Sequence, residues 1–309
     1  EPHAAPDDCA AAPAHMKSGA TVYILDVHYL IFRAYHALPA MTAPDGTPTG
    51  AVRGYLQTIV RLLRELAPDY IGGAADFSLT SFRNELYPGY KEGRTEAPAD
   101  LEPQFALCEA GTRALGVPYL ALRNFEADDV MATLVRRFEP ECAALWLVTR
   151  DKDLAALVSE RVGLMDPRGR ERTGPEEVEA RFGVPPALIP DYLTLVGDAT
   201  DRIPGVPGIG PATARALLRH YGGLDRIPSE LESFGRIGRA RARRIGACLQ
   251  AGRAKLELSR RLVRLRDDLP LDVTLEGLRY RGARRAELSA FLSPLGLSGL
   301  LERVPRWLD

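Results

Sequence analysis

The stretch Ala144-Leu-Trp-Leu-Val-Thr-Arg-Asp-Lys-Asp153 joins a run of five apolar residues to two acids that stand two positions apart. A short apolar run of this kind predicts a buried strand, here residues 144–149, with Asp151 and Asp153 just beyond its end. An unpaired carboxylate next to a buried strand costs free energy, and a surface acid has no need of such a position. The stretch therefore predicts an α/β core with a charged site at a strand end.

The first half of the chain repeats this arrangement. Further strands are predicted at residues 21–25, 70–75 and 118–122, and helices at residues 50–66, 101–115 and 128–138. Because strands alternate with helices, we expect a mostly parallel central sheet flanked by helices, with ligands bound beyond the carboxyl ends of its strands. From residue 176 to about residue 195 the pattern is helical, and an all-helical region is predicted beyond it.

Carboxylates stand in short clusters along this framework. Nine of them form the candidate metal ligands: Asp26, Asp76, Glu126, Asp128, Asp129, Asp151, Asp153, Asp198 and Asp201. If folding brings them together, their repulsion must be relieved by raised pKa values or by bound divalent cations. Oxygen ligands without an accompanying Cys or His favour Mg²⁺ or Mn²⁺ over zinc. The acids therefore predict a metal-dependent phosphoryl-transfer enzyme.

The composition bounds the class of protein. The 309 residues, 46% of them hydrophobic, can bury one large core or two modest ones. No apolar stretch is long enough to span a membrane, and the four cysteines have no metal-ligand spacing, so we expect a cytoplasmic protein. Residues 1–19 are interpreted as a disordered leader or a cloning remnant.

The net charge of −1 argues weakly against a nucleic-acid partner, but the distribution of charge favours one. The C-terminal third concentrates positive charge at Arg236, Arg239, Arg241, Arg243, Arg244, Arg253, Lys255, Arg260, Arg261, Arg264 and Arg266. A basic surface joined to an acidic pocket is the layout expected of an enzyme that binds a polyanion and cuts it.

A Gly- and Pro-rich stretch at residues 196–210 follows Asp198 and Asp201 closely. Gly205, Gly208 and Gly210 permit a tight hairpin, and Pro211 at the first position of the next helix leaves amide donors free. Such a turn binds a phosphate without selecting a base sequence, as helix-hairpin-helix modules do on DNA. A plain loop between two helices is the alternative interpretation.

These motifs occur together in an order that resembles the bacterial 5′-nuclease family. That family comprises the 5′–3′ exonuclease domain of DNA polymerase I and free-standing flap endonucleases, and the resemblance covers residues 20–301. The segments that carry it are Ile24-Leu-Asp26, Phe32-Arg-Ala-Tyr-His36, Pro48-Thr-Gly-Ala51, Ser81-Phe-Arg83, Tyr90-Lys-Glu-Gly-Arg94, Glu126-Ala-Asp-Asp129, Asp151-Lys-Asp153 and Gly197-Asp198 with Asp201.

The resemblance implies a division of the chain and of the acids. It implies a PIN-like α/β nuclease core at residues 20–185 with an arch at about residues 82–100, and a helical helix-hairpin-helix region at residues 186–305. Asp76, Glu126 and Asp128 match first-metal positions, with Asp26 acting through water. Asp151, Asp153 and Asp201 match second-metal positions, with Asp128 placed between the two sites. Asp129 and Asp198 match outer positions.

The same resemblance implies the residues that handle DNA. Lys91 and Arg94 on the arch match catalytic residues that contact the scissile phosphate, and Tyr90 is expected to stack on a base. The expected DNA-binding residues are Arg33, Arg83, Tyr90, Gly205, Val206, Gly208, Ile209, Gly210 and Thr213. The implied ions are two divalent cations, Mg²⁺ or Mn²⁺, with K⁺ at the hairpin.

The implied function is 5′–3′ exonuclease and 5′-flap endonuclease action in DNA replication and repair. The expected partner is DNA with a 5′ end, flap or nick, including an RNA primer on DNA, bound by a monomer without membrane association. The expected location is the bacterial cytoplasm, at the nucleoid.

The sequence departs from the family pattern at a few positions. Val27, His28 and Tyr29 replace small residues after Asp26, and we expect His28 to be a packed or surface residue rather than a metal ligand. Ser78 and Leu79 replace a more basic segment, and Arg150 replaces a glycine. These changes leave the acids intact and bear on single-strand handling.

Other classes of protein fit these sequence features less well. A weakly active or inactive DNA-junction-binding module would have no need for every carboxylate. A PIN-type ribonuclease would be shorter and would lack the helical region, and a phosphatase would lack the phosphate-binding hairpin. A structural α/β domain is disfavoured because buried acids are costly.

Overall fold

The computed structural model describes residues 19–93 and 97–308. Six strands form one sheet within this part of the chain: β1 Thr21–Asp26, β2 Tyr70–Ala74, β3 Tyr119–Leu120, β4 Ala144–Val148, β5 Val162–Met165 and β6 Arg172–Thr173. The spatial order is β3-β2-β1-β4-β5-β6, and every neighbouring pair is parallel except β5 with β6. The strand order reverses between β1 and β4, where α/β sheets place their ligands.

Helices surround this sheet and continue beyond it. They are α1 Val27–Ala37, α2 Gly50–Leu66, α3 Phe82–Leu86, α4 Glu102–Ala114, α5 Ala127–Phe138, α6 Pro175–Phe182, α7 Ile189–Val196, α8 Pro211–Tyr221, α9 Arg239–Ala251, α10 Arg253–Val263 and α11 Arg285–Leu292. The predicted mostly parallel, helix-flanked α/β fold is confirmed.

The two faces of the sheet bury two separate apolar cores, and β1 contributes to both. Val22 and Ile24 face the core that contains α5, whereas Tyr23 and Leu25 face the core of α1, α2 and α4. Side chains alternate between the faces of a strand, so a fully apolar strand such as β1 is the pattern expected for a sheet covered on both sides. Packing on both faces therefore fixes the position of the sheet edge at which Asp26 lies.

Four elements were absent from the sequence prediction: α1, the five-residue helix α3, and the strands β5 and β6. The helix α1 begins directly after Asp26, whose Oδ1 accepts a hydrogen bond from the Tyr29 amide at 3.1 Å and caps the helix. The strands β5 and β6 span four and two residues. Elements this short carry too little periodicity to be detected, and their neighbours in the sheet define them.

The helical region holds the predicted hairpin. Residues 197–210 connect α7 to α8, and Val206 lies against Gly252, between α9 and α10, since a Cβ added at Gly252 would come within 2.8 Å of Val206 Cγ1. The buried side chains of Val206 and Ile209 therefore pack the hairpin against the apolar core. Pro207, Gly208 and Gly210 remain exposed at its tip.

The last part of the chain leaves the helical region. After Val263 it passes along α5, where the Arg266 amide donates to Asp129 Oδ1 at 2.9 Å, and the Tyr280 amide then donates to the Asp69 carbonyl at 2.7 Å. Leu288 and Leu292 of α11 join the core of α2 and α4. Within the predicted helical region of residues 186–305, the apolar face of α11 is thus buried on the α/β core.

In the described ranges, no helix combines the length and apolarity needed to cross a bilayer.

A backbone contact at Gly205 gives a stability prediction. Gly205 has φ +60°, and an added Cβ would lie 2.4 Å from the Val196 carbonyl oxygen. We expect Gly205→Ala to lower the free energy of unfolding by about 3 kcal/mol, because a left-handed backbone and a steric clash combine. Urea denaturation measures the change.

Gly210→Ala is the matched control for this substitution. Gly210 has φ −93°, and an added Cβ would meet no atom within 4 Å. We expect the urea midpoint of Gly210→Ala to stay close to that of the wild-type protein. Equal midpoints for Gly205→Ala and the wild type would contradict the close backbone contact.

Candidate metal centre

The acid cluster is assembled from the carboxyl ends of strands. Asp26 ends β1, Asp76 lies two residues beyond β2, and Asp151 lies three residues beyond β4. Thr149 Oγ1 donates to Asp26 Oδ2 at 2.8 Å, which joins the ends of β1 and β4. The Ala127 amide donates to Asp76 Oδ1 at 2.7 Å, which brings the end of β2 to the start of α5.

Glu126, the N-cap residue of α5, accepts hydrogen bonds from three side chains. Ser81 Oγ donates to Oε1 at 2.6 Å, and Lys91 Nζ and Tyr90 Oη donate to Oε2 at 2.8 and 3.1 Å. Burial acts to raise the pKa of Glu126, but Lys91 and Arg83 outweigh it and hold the pKa below its usual value. Glu126 is thus ionised at neutral pH.

Asp201 is held in the cluster by the segment that precedes the hairpin. Paired backbone hydrogen bonds between Asp198 and Ile203, at 3.0 and 2.8 Å, close a loop that contains Asp201. Tyr90 Oη donates to Asp201 Oδ2 at 3.3 Å, and Lys91 Nζ lies 3.9 Å from the same oxygen. The approach to the hairpin and the base of the predicted arch therefore meet at the acids.

Asp151 and Asp153 lie side by side at the end of β4. The Asp153 amide donates to Asp151 Oδ1 at 2.9 Å, and Lys152, between them, donates to Asp198 Oδ2. Burial acts to raise the pKa of Asp198, but the hydrogen bond from Lys152 helps to hold it below its usual value. Asp198 therefore positions Lys152.

The three acids Asp26, Asp128 and Asp153 carry the electrostatic cost of the cluster. Burial, with the nearby Asp76 and Asp151, raises the pKa of Asp26 to about 7. Burial and neighbouring acids, Asp151 first among them, also raise the pKa of Asp153 to about 7. Burial, Asp151 and Asp26 raise the pKa of Asp128 well above its usual value. The charge of Asp151 therefore contributes to the raised pKa of all three carboxyl groups.

These acids suit divalent cations. Among residues 19–93 and 97–308, no three acidic, His or Cys side chains already form a complete metal-binding arrangement. Asp153 Oδ1 is nevertheless buried without a hydrogen-bond partner in that part of the chain, and a cation would satisfy it. A cation would also relieve the repulsion that raises these pKa values, so the residues fit the predicted ions.

A cavity of about 200 Å³ opens beside the acids. Its polar wall includes Asp128, Asp153 and Asp201, and its apolar wall includes Leu193 of α7 and Leu262 of α10. Water and ions can therefore reach the carboxylates from a recess between the sheet edge and the helical region. The low-polarity wall strengthens electrostatic interactions inside the recess.

Asp129 was predicted as an outer metal residue, and the structure assigns its two oxygens to protein donors. Arg83 donates to both oxygens at 2.7 Å, and the amides of Glu126 and Arg266 donate at 3.2 and 2.9 Å. Four hydrogen bonds occupy the acceptor sites of this fully buried carboxylate. Asp129, predicted as an outer member of the metal centre, therefore anchors Arg83 in this structure.

Arg83 and Tyr90 were predicted to contact DNA, and the structure buries both. Arg83 is 2% exposed, and it also donates to the Leu262 and Arg264 carbonyls at 2.8 and 3.2 Å. Tyr90 is 3% exposed with its hydroxyl on Glu126 and Asp201. Neither side chain presents a surface to a base or a phosphate in this structure, because buried acids engage both.

The remaining predicted DNA-binding residues divide by exposure. Arg33 is half-buried on α1, and Gly208 and Gly210 are exposed at the hairpin tip. Val206, Ile209 and Thr213 are buried, and Gly205 is buried beside Val196, so their side chains serve the packing of the hairpin. Arg94 lies outside the described residues, as do residues 1–18 of the predicted leader.

Three side chains of the centre were given no role in the sequence prediction: Ser81, Thr149 and Lys152. His28 was expected to be a packed or surface residue. His28 Nδ1 accepts a hydrogen bond from the Asp76 amide at 3.1 Å, and its ring stacks on Phe105. Lys152 lies between the predicted metal ligands Asp151 and Asp153 in the sequence, and this position indicates a residue of the site. Ser81 and Thr149 have hydroxyls at element ends, a signal too common to select them.

The buried ion pair gives a second stability prediction. We expect Arg83→Ala to lower the free energy of unfolding by about 3 kcal/mol, because it leaves Asp129 charged, fully buried and short of two donors. Thermal or urea denaturation measures the loss. The double variant Arg83→Met/Asp129→Leu is expected to recover part of it, and equal stability of Arg83→Ala and wild type would contradict the pairing.

The chain is similar in sequence to known nuclease families and proteins. A model of the 5′-3′ exonuclease N-terminal resolvase-like domain matches residues 21–183, and a model of the 5′-3′ exonuclease C-terminal SAM fold matches residues 184–286. DNA polymerase I of Rhizobium leguminosarum is 38% identical over 98% of this chain and 30% of that protein. The 5′-3′ exonuclease of Aquifex aeolicus is 35% identical over 93% of this chain and 96% of that protein. The chain spans about a third of the length of its polymerase relatives.

Solved structures share the fold. A bacteriophage T5 flap endonuclease in complex with DNA and metal ions has a TM-score of 0.64 at 20% identity, covering 92% of this chain and 96% of that one. The catalytic core of Rad2 in complex with DNA substrate has a TM-score of 0.57 at 13% identity, covering 93% of each chain. With two family models matching consecutively across residues 21–286, the chain belongs to the 5′-3′ exonuclease family.

Proposed function

We propose that this protein is a structure-specific DNA nuclease that hydrolyses phosphodiesters from the 5′ side, as a 5′–3′ exonuclease and 5′-flap endonuclease. The observation that carries the proposal is the convergence of carboxylates from β1, β2, β4 and α5 on one sheet edge, with Lys91 beside Glu126. Such a centre suits the cleavage of a phosphodiester, whose developing charge needs cations.

The acids are proposed to hold two divalent ions, Mg²⁺ or Mn²⁺. Asp26, Asp76, Glu126 and Asp128 would serve one position, and Asp151, Asp153 and Asp201 the other. Bound there, the ions would supply an activated water and stabilise the charge on the scissile phosphate. The raised pKa values of Asp26, Asp128 and Asp153 support this assignment, because those groups gain most from added positive charge.

Lys91 is proposed to contact the scissile phosphate. Its Nζ lies at the mouth of the acid cluster, 20% exposed, and its backbone amide donates to the Asp201 carbonyl at 3.0 Å. This backbone bond fixes the arch base next to the acids, so a short movement of the side chain brings its charge to a bound phosphate. Arg94, outside the described residues, is proposed as its partner from the family pattern.

The duplex is proposed to lie across the hairpin and α9. Gly208 and Gly210 expose the backbone at the start of α8, where amide donors favour a phosphate. Arg241, Arg243 and Arg244 are exposed on α9, and no carboxylate of the described ranges forms a salt bridge with them. K⁺ at the hairpin carbonyls is part of the proposal.

A substrate panel tests the function. A 5′-labelled flap, a nicked duplex, a blunt duplex and an RNA-primed duplex are each incubated with and without Mg²⁺, and product lengths are resolved on a gel. We expect Mg²⁺-dependent products from the flap and the nick. Cleavage of RNA alone would favour a ribonuclease, and binding of the flap without cleavage in Mg²⁺ or Mn²⁺ would leave a DNA-junction-binding module.

Salt dependence tests the duplex footprint. We expect the affinity for duplex DNA to fall steeply with salt, with log Kd rising by about 0.9 for each phosphate neutralised per unit of log salt concentration. Replacing Arg241, Arg243 and Arg244 by Gln should reduce that slope. A salt response that is flat, or that is unchanged in the triple variant, would remove α9 from the footprint.

A further inference from the structure

An uncharged loop at residues 77–80 stands on the rim of the acid cluster. It joins Asp76 to Ser81 and carries Phe77 and Leu79, which are 57% and 75% exposed. These are the two most exposed large apolar side chains in the part of the chain that the structure describes. A large apolar group in water next to a charged site suggests a ligand with an apolar face.

Both ends of the loop are fixed to the acids. Asp76 accepts a hydrogen bond from the Ala127 amide at 2.7 Å, and its own amide donates to His28. At the other end, Ser81 Oγ donates to Glu126 Oε1 at 2.6 Å and also caps α3. Phe77 and Leu79 are therefore held within a few residues of two metal-ligand positions.

The loop itself is braced in one shape. Ser78 Oγ donates to the Thr80 carbonyl at 2.7 Å, and the Phe82 amide donates to the Asn124 carbonyl at 3.0 Å just beyond the loop. A braced loop presents its side chains at little cost in conformational entropy, which suits a contact surface. The loop offers no cation to a phosphate, so it matches the base of a nucleotide and not its backbone.

We propose that Phe77 stacks on a nucleobase next to the scissile phosphodiester, with Leu79 covering the edge of the same base. An aromatic ring can stack on any base, since every base has a π-face, so the contact selects an unstacked nucleotide and not a sequence. A nucleotide in a duplex already stacks on its neighbours. The pair thereby favours cleavage where the strand leaves the duplex, and this inference rests on the proposed nuclease function.

The test uses 2-aminopurine placed on either side of the scissile phosphate in a 5′-flap DNA, bound in EDTA so that the strand stays intact. We expect the wild-type protein to change the probe's fluorescence at one of these positions through stacking. Phe77→Ala and Phe77→Leu should lose that change, and Phe77→Tyr should keep it. Flap affinity, read by anisotropy in the same titration, should fall about tenfold in Phe77→Ala.

Leu308→Ala is the matched control. Leu308 is the third exposed large apolar side chain of the described residues, with 46% of it exposed. Its amide donates a hydrogen bond to the carbonyl of Ala283, which packs against the α/β core. It should keep both the fluorescence change and the affinity. Because Phe77 is exposed, its substitutions should leave the melting temperature unchanged, which separates a lost contact from a lost fold.

The outcomes separate the two proposals. Flap cleavage in Mg²⁺ by the wild-type protein, with a fluorescence change that Phe77→Ala retains at wild-type affinity, would overturn the stacking contact alone. Failure of the wild-type protein both to bind and to cleave the flap would overturn the nuclease function and the stacking contact together. Loss of the change in Phe77→Ala and Phe77→Leu, with its retention in Phe77→Tyr, would support the contact.

Discussion

Asp153→Asn is expected to abolish cleavage of a 5′ flap while making the metal-free protein more stable. The carboxylate is proposed to hold a divalent ion, so its loss should lower the single-turnover rate by at least about 1,000-fold. Asparagine keeps the shape of the side chain and removes its charge. A substitution that inactivates an enzyme and stabilises its fold identifies a group kept for chemistry.

The pH dependence gives the sign of the stability change. Burial and the acids around it raise the pKa of Asp153 from 3.8 to about 7 in the folded protein. Between about pH 4 and pH 7 the folded state therefore binds more protons than the unfolded chain, and metal-free stability falls as the pH rises through that window. At pH 8 the ionised carboxylate opposes folding, and Asp153→Asn removes this penalty.

Thermal melts in EDTA between pH 4 and pH 8 measure this effect. We expect a shallower loss of stability with pH in Asp153→Asn than in the wild-type protein, and a rise in wild-type melting temperature when Mg²⁺ is added at pH 8. Asp272→Asn, at an exposed position, is the control for loss of one negative charge. Destabilisation by Asp153→Asn at pH 8, or wild-type cleavage by it, would contradict the metal assignment.

Lys91→Met is expected to lower the single-turnover rate of flap cleavage by about 100- to 1,000-fold with the enzyme in excess. The substitution removes the cation proposed to stabilise charge at the scissile phosphate, and mutations of comparable groups cost this much. The carboxylates stay in place, so the dependence of the rate on Mg²⁺ concentration should keep its midpoint. This pattern distinguishes a phosphate contact from a role in metal binding.

The fold should survive this change. Glu126 retains Ser81 and Tyr90 as hydrogen-bond donors, and Arg83 lies 3.8 Å from its Oε2. Arg113→Met, which removes an exposed cation on α4, serves as the control and should cleave at the wild-type rate. An unchanged rate for Lys91→Met at saturating enzyme would reject its contact with the phosphate.

Local sequence patterns predicted the parts of the fold that local physics determines. The helix α2 has the predicted bounds, and β1 and β4 differ from prediction by one residue. These elements are long and strongly periodic or continuously apolar, so their own residues specify them. Because parallel strands end at one edge, the meeting of Asp26, Asp76 and Asp151 followed from the strand prediction.

Long-range pairing could not be predicted in the same way. Arg83 and Asp129 are 46 residues apart, and Tyr90 and Asp201 are 111 residues apart. A short arch segment rich in charge and aromatic residues predicts solvent or DNA contact, yet Arg83 and Tyr90 fold inward. The buried acids need donors, and that demand exists only once the sheet and the helical region have come together.

The most direct test of the central claim is a time course on one 5′-labelled flap DNA, with the wild-type protein in EDTA, the wild-type protein in Mg²⁺, and Asp153→Asn in Mg²⁺. The account predicts short 5′ products from the wild-type protein in Mg²⁺ and intact DNA in the other two reactions. Products of equal yield in EDTA, or from Asp153→Asn at the wild-type rate, would contradict a metal-dependent nuclease centre at these carboxylates.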